Sequence, residues 1–563
     1  MAIGVVVVAA GGIFFVVKGG GPSEQDTVVR FAHAWDAGNY SAMRDETTGE
    51  DQDRYSGRTF AARYTDAAGI ATATRVKTGR PYRSNGTWQL PVTVTTRAFG
   101  PVRGTVALKV VKDGDDERID WAADDTFPGL HAGDRLTRTT EMPARGDLLA
   151  RDGTPLAQGP NRTSPLGPTA AAIVGALGPI PDTYKSTAAR LGYPSDAQVG
   201  ITGLERSFDA RLAGTPGGQL RAGARLLAER APRKAAPVRT TIAPKVEAAA
   251  VEALAGRYGG VVALRPKTGE ILAAAGIGFS GLQPPGSTFK IITATGVLQN
   301  GVAKPTDTFP VQTAATIEGV QLGNANGESC GGTLANSFAQ SCNSVFAPLG
   351  AKLGAQKLVQ TAEAFGFNQP TGITGAATAS IPPAGEIGDD LAVGSSAIGQ
   401  GRVQATALQM AIVAATIGLR GRRPDVTLDP DRWKGRAPTH AATDARTARE
   451  VEKLMLGVVR YGTGKVADIP GVKVAGKTGT AELRSTQTCQ PSSSAATTGT
   501  PAGTCTPNQE NDTSDTDAWF STYAPAGNGT PRIAVGVLLV AAGAGGDTAA
   551  PAARQVLLAG LKN

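Results

Sequence analysis

Cysteine and histidine are both scarce in this 563-residue chain, which holds four Cys and three His. No CxxC pair occurs, so a zinc site has none of its usual thiolate spacing and no metal is expected. The histidines, His33, His131 and His440, stand outside every other catalytic candidate, leaving a Ser-His-Asp hydrolase without local support. Charged residues make up only 18% of the chain, and its net charge of +8 is spread along the length rather than gathered into a stripe. Nucleic acid is therefore not an expected partner. What is abundant is glycine and proline, 73 and 36 residues, with 41% hydrophobic residues. That balance fits several folded domains joined by many turns, and the length exceeds what one hydrophobic core serves.

The first seventeen residues, MAIGVVVVAAGGIFFVV, are uncharged and end at Lys18 before Gly19-Gly20-Gly21. The run is slightly shorter than the ~20 residues that span a bilayer, lacks a basic leader and shows no small-x-small cleavage site. It predicts an uncleaved single-pass membrane anchor over residues 1–18, with everything after Lys18 outside the cytoplasm.

Val28, Phe31, Ala32 and Trp35 recur at i, i+3, i+4 and i+7, the spacing of a core-facing helix. From Trp88 the pattern turns to alternation, Trp88, Leu90, Val92 and Val94 on one face, with Asn85-Gly86 as the preceding turn. Further strands run through Val106, Leu108 and Val110 to Trp121. A helix followed by a curved sheet resembles the NTF2-like domain at the front of methicillin-resistance-type class B penicillin-binding proteins, expected here over residues 22–140. Arg145-Gly146-Asp147-Leu148-Leu149-Ala150-Arg151-Asp152-Gly153 resembles the segment that opens the pedestal, or dimerisation, module of class B enzymes. Gly203-Leu204-Glu205, Phe208-Asp209 and Leu212-Ala213-Gly214 resemble the segment that closes it, and the module is expected over 141–237. From Thr240 onward the chain reads as one long domain, 238–563, opening with a hairpin of Val261–Leu264 and Ile271–Ala273 around the turn Pro266-Lys267-Thr268-Gly269. Residues 484–516, rich in Ser, Thr, Pro, Gly and Asn, read as a loop insertion.

Three motifs carry the chemistry. Pro284-Pro285-Gly286-Ser287-Thr288-Phe289-Lys290 leads into the apolar run Ile291-Ile292, placing Ser287 in a first helical turn whose N–H groups are unpaired. Lys290 follows at i+3 on the same face, where an amine with a lowered pKa takes the hydroxyl proton. Ser341-Cys342-Asn343 offers a hydroxyl to pass protons and an amide to hold Lys290 and a peptide. Lys477-Thr478-Gly479-Thr480, behind Val472-Lys473-Val474-Ala475-Gly476, reads as an edge strand. There Lys477 supplies charge for a substrate carboxylate, Thr478 and Thr480 supply hydroxyls, and Gly479 permits close approach. The N–H groups of Thr480 and Ser287 would form an oxyanion hole. Lys-Thr-Gly also occurs at Lys77 and Lys267, the first upstream of any nucleophile and the second within the hairpin turn.

SxxK, SxN and KTG in this order are the set of penicillin-binding proteins and class A β-lactamases. Residues 240–563, including Gly399-Gln400-Gly401, Ala407-Leu408-Gln409-Met410-Ala411 and Ala518-Trp519-Phe520, resemble the transpeptidase domain of class B penicillin-binding proteins. The resemblance implies a multi-domain α+β protein whose catalytic domain has a central antiparallel sheet flanked by helices. It also implies peptidoglycan stem peptides ending in D-Ala-D-Ala as substrate, covalent capture of β-lactams, no cofactor, and a separate glycan polymerase as a partner of the anchor. Ser287-Thr288-Phe289-Lys290 equally matches class D β-lactamases and related sensors. Those carry an apolar residue where Asn343 stands, and they lack the front modules. A silent wall-binding scaffold is the reading from another class. The cysteines fall as Cys330 with Cys342 and Cys489 with Cys505; a disulfide is expected between Cys489 and Cys505, whereas the first pair is left open because Cys342 lies inside SxN.

Overall fold

A computed structural model of the chain describes residues 23–433, 435–482, 487–489, 505–507 and 516–562. Among them no helix is long and apolar enough to cross a membrane, and the apolar run at residues 1–17 lies outside them. The chain divides into two compact units.

The first unit holds the residues up to Gly146 together with Gly178–Val199 and Ala213–Ala236. Its opening helix, Glu24–Asp36, starts at a capping box in which the Ser23 hydroxyl accepts from the Asp26 N–H and the Asp26 carboxylate answers to the Ser23 backbone. The helix buries Val28, Phe31, Ala32 and Trp35, the four residues that share its apolar stripe. Strands Ala73–Thr78, Thr87–Thr96, Gly100–Asp113 and Asp116–Asp120 form an antiparallel sheet, and Tyr82–Ser84 pairs with the second of them. Ser84 stands opposite Thr87, so Asn85-Gly86 is a two-residue turn, and both residues have the positive φ that such a turn requires. Leu90, Val92 and Val94 point into the core, while Trp88 sits at its rim and donates from Nε1 to Glu24. A second small sheet pairs Leu136–Glu141 with Gly217–Ala222, and that strand in turn with Arg225–Arg230. The segment 141–237, expected as one module, thus contributes to both units.

The second unit contains Asp147–Leu177, Gly200–Leu212 and the chain from Pro237 onward. Its sheet has five antiparallel strands in the order Glu270–Gly276, Gly259–Arg265, Ile533–Leu539, Thr516–Ala524, Ala475–Glu482. Helices Pro244–Leu254 and Ala549–Leu561 close one face. Against the other lies helix Ala407–Gly418, in which every residue is buried. A helix apolar all round belongs inside a core, and each large side chain buried there contributes about 1.5–3 kcal/mol. The central strands read as continuous apolar runs, Val261-Val262-Ala263-Leu264 and Val535 to Leu539, because both faces are covered. This leaves the KTG segment, in Ala475–Glu482, on the sheet edge, paired on one side only among the described residues. The two strands Gln487–Cys489 and Cys505–Pro507, within the polar insertion, pair with each other.

Candidate active site

Ser287 lies in a 3₁₀ turn, Gly286–Phe289, that runs directly into helix Lys290–Gln299. Pro285 fixes the entry, and Thr288 locks the turn by donating its hydroxyl to the Pro285 carbonyl at 2.6 Å. Gly286 adopts φ +50° and donates its N–H to the Gly399 carbonyl at 3.0 Å, which ties the turn to the Gly399-Gln400-Gly401 segment. A Cβ on Gly286 would lie 2.8 Å from the Thr480 carbonyl, and one on Gly479 would lie 2.8 Å from the Pro285 carbonyl. Two glycines therefore let the turn and the edge strand meet backbone to backbone. Ser287 stays half-buried, whereas Thr288, Phe289 and Lys290 are buried.

Lys290 is completely buried. Its Nζ donates to the Ser341 carbonyl at 2.7 Å and to Asn343 Oδ1 at 2.7 Å, with the Ser341 hydroxyl 3.4 Å away. The two short bonds use both N–H groups of a neutral amine and leave its lone pair available. Burial, and after it the neighbouring Lys477 charge, hold the Lys290 amine well below the ordinary lysine range. The Phe346 ring, its centroid 5.8 Å from Nζ, adds a face that tolerates a cation.

Ser341 occupies the left-handed region at φ +65°, unusual for a residue with a Cβ and costing on the order of 1 kcal/mol. Its surroundings impose that conformation. The Ser341 N–H bonds the Phe338 carbonyl, the Cys342 N–H bonds the Ser337 carbonyl, and Cys342 is bridged to Cys330 with 5.5 Å between the Cα atoms. The pair that the sequence left open is thus a disulfide clamping the middle residue of SxN. Asn343 begins helix Asn343–Leu353 and donates from Nδ2 to the Gly323 carbonyl while its Oδ1 holds Lys290.

Lys477 projects from the edge strand to the Ser341 hydroxyl, donating at 2.8 Å, and also to the Thr478 carbonyl at 3.0 Å. The sequence casts Lys477 as the charge for a substrate carboxylate; in the structure its amine is fully buried, beside the Ser341 hydroxyl and the Phe338 ring. Burial lowers its pKa to about 7. Ser341 is accordingly flanked by two buried amines, one from each side. Thr478 is buried and its hydroxyl lies 2.6 Å from that of Thr463, a residue the sequence reading did not single out although it stands between Gly462 and Gly464. Thr480 accepts the Gly545 N–H at 3.3 Å.

The remaining candidates fall elsewhere. Cys489 and Cys505 stand directly opposite each other in the paired strands of the insertion, and their side chains lie outside the described residues. Lys267 sits in the hairpin turn and Lys77 in the sheet of the first unit. His440 is exposed, and its Nε2 lies 2.9 Å from Asp425.

Comparison with known proteins agrees with this arrangement. The family model described as penicillin binding protein transpeptidase domain matches residues 259–558, and that described as penicillin-binding protein dimerisation domain matches residues 152–223. Peptidoglycan D,D-transpeptidase PbpA of Mycolicibacterium smegmatis is 32% identical over 440 residues, covering 66% of this chain and 81% of that protein. PbpA of Mycobacterium tuberculosis is 32% identical over 430 residues, covering 64% and 80%. The solved structure of penicillin-binding protein A from M. tuberculosis as a ceftriaxone acyl-enzyme complex superposes with a TM-score of 0.57 at 26% identity, covering 74% of this chain and 98% of that one. The D,D-transpeptidase domain of a peptidoglycan glycosyltransferase from Eggerthella lenta gives 0.56 at 28% identity, covering 74% and 98%. With a transpeptidase model spanning more than half its length and SxxK, SxN and KTG meeting at Ser341, the chain belongs to the penicillin-binding protein transpeptidase family.

Proposed function

We propose that this protein is a serine D,D-transpeptidase that cross-links peptidoglycan stem peptides through an acyl-enzyme on Ser287, and that β-lactams acylate the same residue. The observation that carries the reading is the chain of contacts from Asn343 through Lys290 and Ser341 to Lys477, which joins three motifs far apart in sequence beside the half-buried Ser287. Lys290, one turn beyond Ser287, is the base: its neutral amine takes the Ser287 proton as Oγ attacks the carbonyl of the penultimate D-Ala. The oxyanion is received by the N–H groups of Ser287 and Thr480, a role that the close approach of the Gly286 turn to the Thr480 backbone supports. The C–N bond then breaks, and the departing D-Ala amine regains a proton through the Ser341 hydroxyl, which Lys290 and Lys477 flank. An amine from a second stem peptide attacks the ester, gives up its proton by the reverse route and releases Ser287 with a new amide bond. Thr478, Gly479 and Thr480 line the strand along which the donor peptide lies and supply its hydroxyl contacts. A β-lactam presents its strained amide to the same sequence and remains attached.

The other parts of the reading rest on pattern. The anchor is assigned to residues 1–18, which places the catalytic domain outside the cytoplasm and beside a separate glycan polymerase in the membrane. Helices packed on an antiparallel sheet in the first unit support an NTF2-like domain. The direct test is release of D-Ala from a diacetylated Lys-D-Ala-D-Ala peptide. Turnover that vanishes on preincubation with benzylpenicillin is expected. Failure to release D-Ala or to incorporate an added amine would reject the assignment.

A further inference from the structure

The hydroxyls of Thr478 and Thr480 share one face of the edge strand, and each has a partner supplied from another segment. For Thr480 the direction of the bond is fixed by chemistry. The Gly545 N–H can only donate, so the Thr480 oxygen accepts and its own proton is free for something else. For Thr478 the partner is the Thr463 hydroxyl at 2.6 Å, and one of the two protons must lie in that short contact. The Thr463 oxygen also sits 3.3 Å from the Ala339 carbonyl, which only accepts.

Two proton arrangements follow. In the first, Thr463 donates to Ala339 and Thr478 donates back to Thr463, so that Thr478 offers only lone pairs to any ligand. In the second, Thr463 donates to Thr478, and the Thr478 proton is released to an outside acceptor. The 2.6 Å contact is far better hydrogen-bond geometry than the 3.3 Å one. A ligand anion selects the second state, because it attracts a donor and repels bare lone pairs. Thr463 is rigidly placed for this. Its N–H bonds the Ala339 carbonyl at 3.1 Å, two residues before Ser341. A Cβ on neighbouring Gly462 would run into that carbonyl, and one on Gly546, beside Gly545, would run into the Thr463 carbonyl. The loops that carry Thr463 and Gly545 therefore meet behind the same strand face.

We propose that Thr463 is a positioning residue for ligand charge: by donating to Thr478 it turns that hydroxyl outward as a donor, matching the state Gly545 imposes on Thr480, and so favours ligands ending in a carboxylate. This rests on the transpeptidase reading and adds to it a residue outside the three motifs. A hydroxyl chain that ends on an anion strengthens along its length, and losing its inner link costs more with a charged acceptor than with a neutral one.

The test compares second-order acylation rates for benzylpenicillin and its methyl ester, followed by intact-protein mass spectrometry, on wild type, T463V and T463S. T463V should lose about tenfold with the carboxylate compound and no more than about twofold with the ester. T463S, which keeps the hydroxyl, should restore the carboxylate rate. Equal losses with both compounds would mean that Thr463 only supports the strand and would overturn the proposal, as would an unchanged rate with benzylpenicillin. If thermal unfolding shows T463V to be misfolded, T463A is read by the same ratio. Wild-type protein that neither compound acylates would overturn the transpeptidase reading itself, and the Thr463 assignment with it.

Discussion

Lys477 Nζ donates to Ser341 Oγ at 2.8 Å across a sequence separation of 136 residues, from an amine that is fully buried to a hydroxyl that is half-buried. The contact makes Lys477 part of the internal proton network and puts a second amine close to the one on Lys290. Two buried amines cannot both keep a proton cheaply, and the Lys477 charge adds to burial in pushing Lys290 toward neutrality.

That coupling has a measurable sign. The Lys477 charge helps hold the Lys290 pKa down, so removing it raises the Lys290 pKa. In the proposed mechanism neutral Lys290 is the active form, and it is present above its pKa. In Lys477→Met the acid limb of the acylation rate against pH should therefore move to higher pH. A limb that stays in place, or moves down, would show that Lys477 does not act on Lys290.

Glu247 offers a test of stability against pH away from the site. It is fully buried on helix Pro244–Leu254; Oε2 accepts the Ala274 N–H at 2.8 Å and Oε1 has no partner among the described residues. Burial raises its carboxyl from 4.5 to about 8. A folded pKa above the unfolded one means stability is fully present below about pH 4.5 and lost as pH rises through about 8. Each unit corresponds to about 1.4 kcal/mol. Glu247→Gln keeps the acceptor and cannot ionise, so its melting temperature should gain on wild type from pH 5 to pH 9. An offset that is the same at both pH values would refute the raised pKa.

The facing backbones of Cys489 and Cys505 support the disulfide expected in the insertion. Closing a loop of ~15 residues stabilises by roughly 3 kcal/mol in the chain-entropy model, useful in a segment with few apolar side chains. Non-reducing peptide mapping of exported protein should recover the two cysteines in one linked peptide, separate from the Cys330–Cys342 pair. Free thiols at both positions would defeat the expectation. Reduction should slow acylation modestly, since the insertion follows the strand that carries Lys477.

The parts of this molecule legible in the sequence are those fixed by local spacing. The i, i+3, i+4, i+7 stripe gave the first helix, Asn85-Gly86 the hairpin, and the apolar approach to Lys477 the strand that ends the sheet. What local spacing does not encode is which distant groups meet. Thr463 was invisible because its importance lies in touching Thr478 and Ala339, residues 15 and 124 positions away. The burial of Lys477 depends on Ser341 and Phe338 packing against its amine, which local spacing does not encode either. The strand Leu136–Glu141 was assigned to the front domain, and only its pairing with Gly217–Ala222 reveals how the segment after residue 141 is shared between the two units. A deletion meant to remove the front domain therefore has to spare that strand.

Ser287 is the proposed site of acylation, and locating a β-lactam adduct tests this most directly. Protein incubated with benzylpenicillin, digested and analysed by tandem mass spectrometry should carry the penicilloyl mass on the peptide containing Ser287. Ser287→Ala should carry none while unfolding at the wild-type temperature. An adduct on any other residue, or one that persists on Ser287→Ala, would contradict the account.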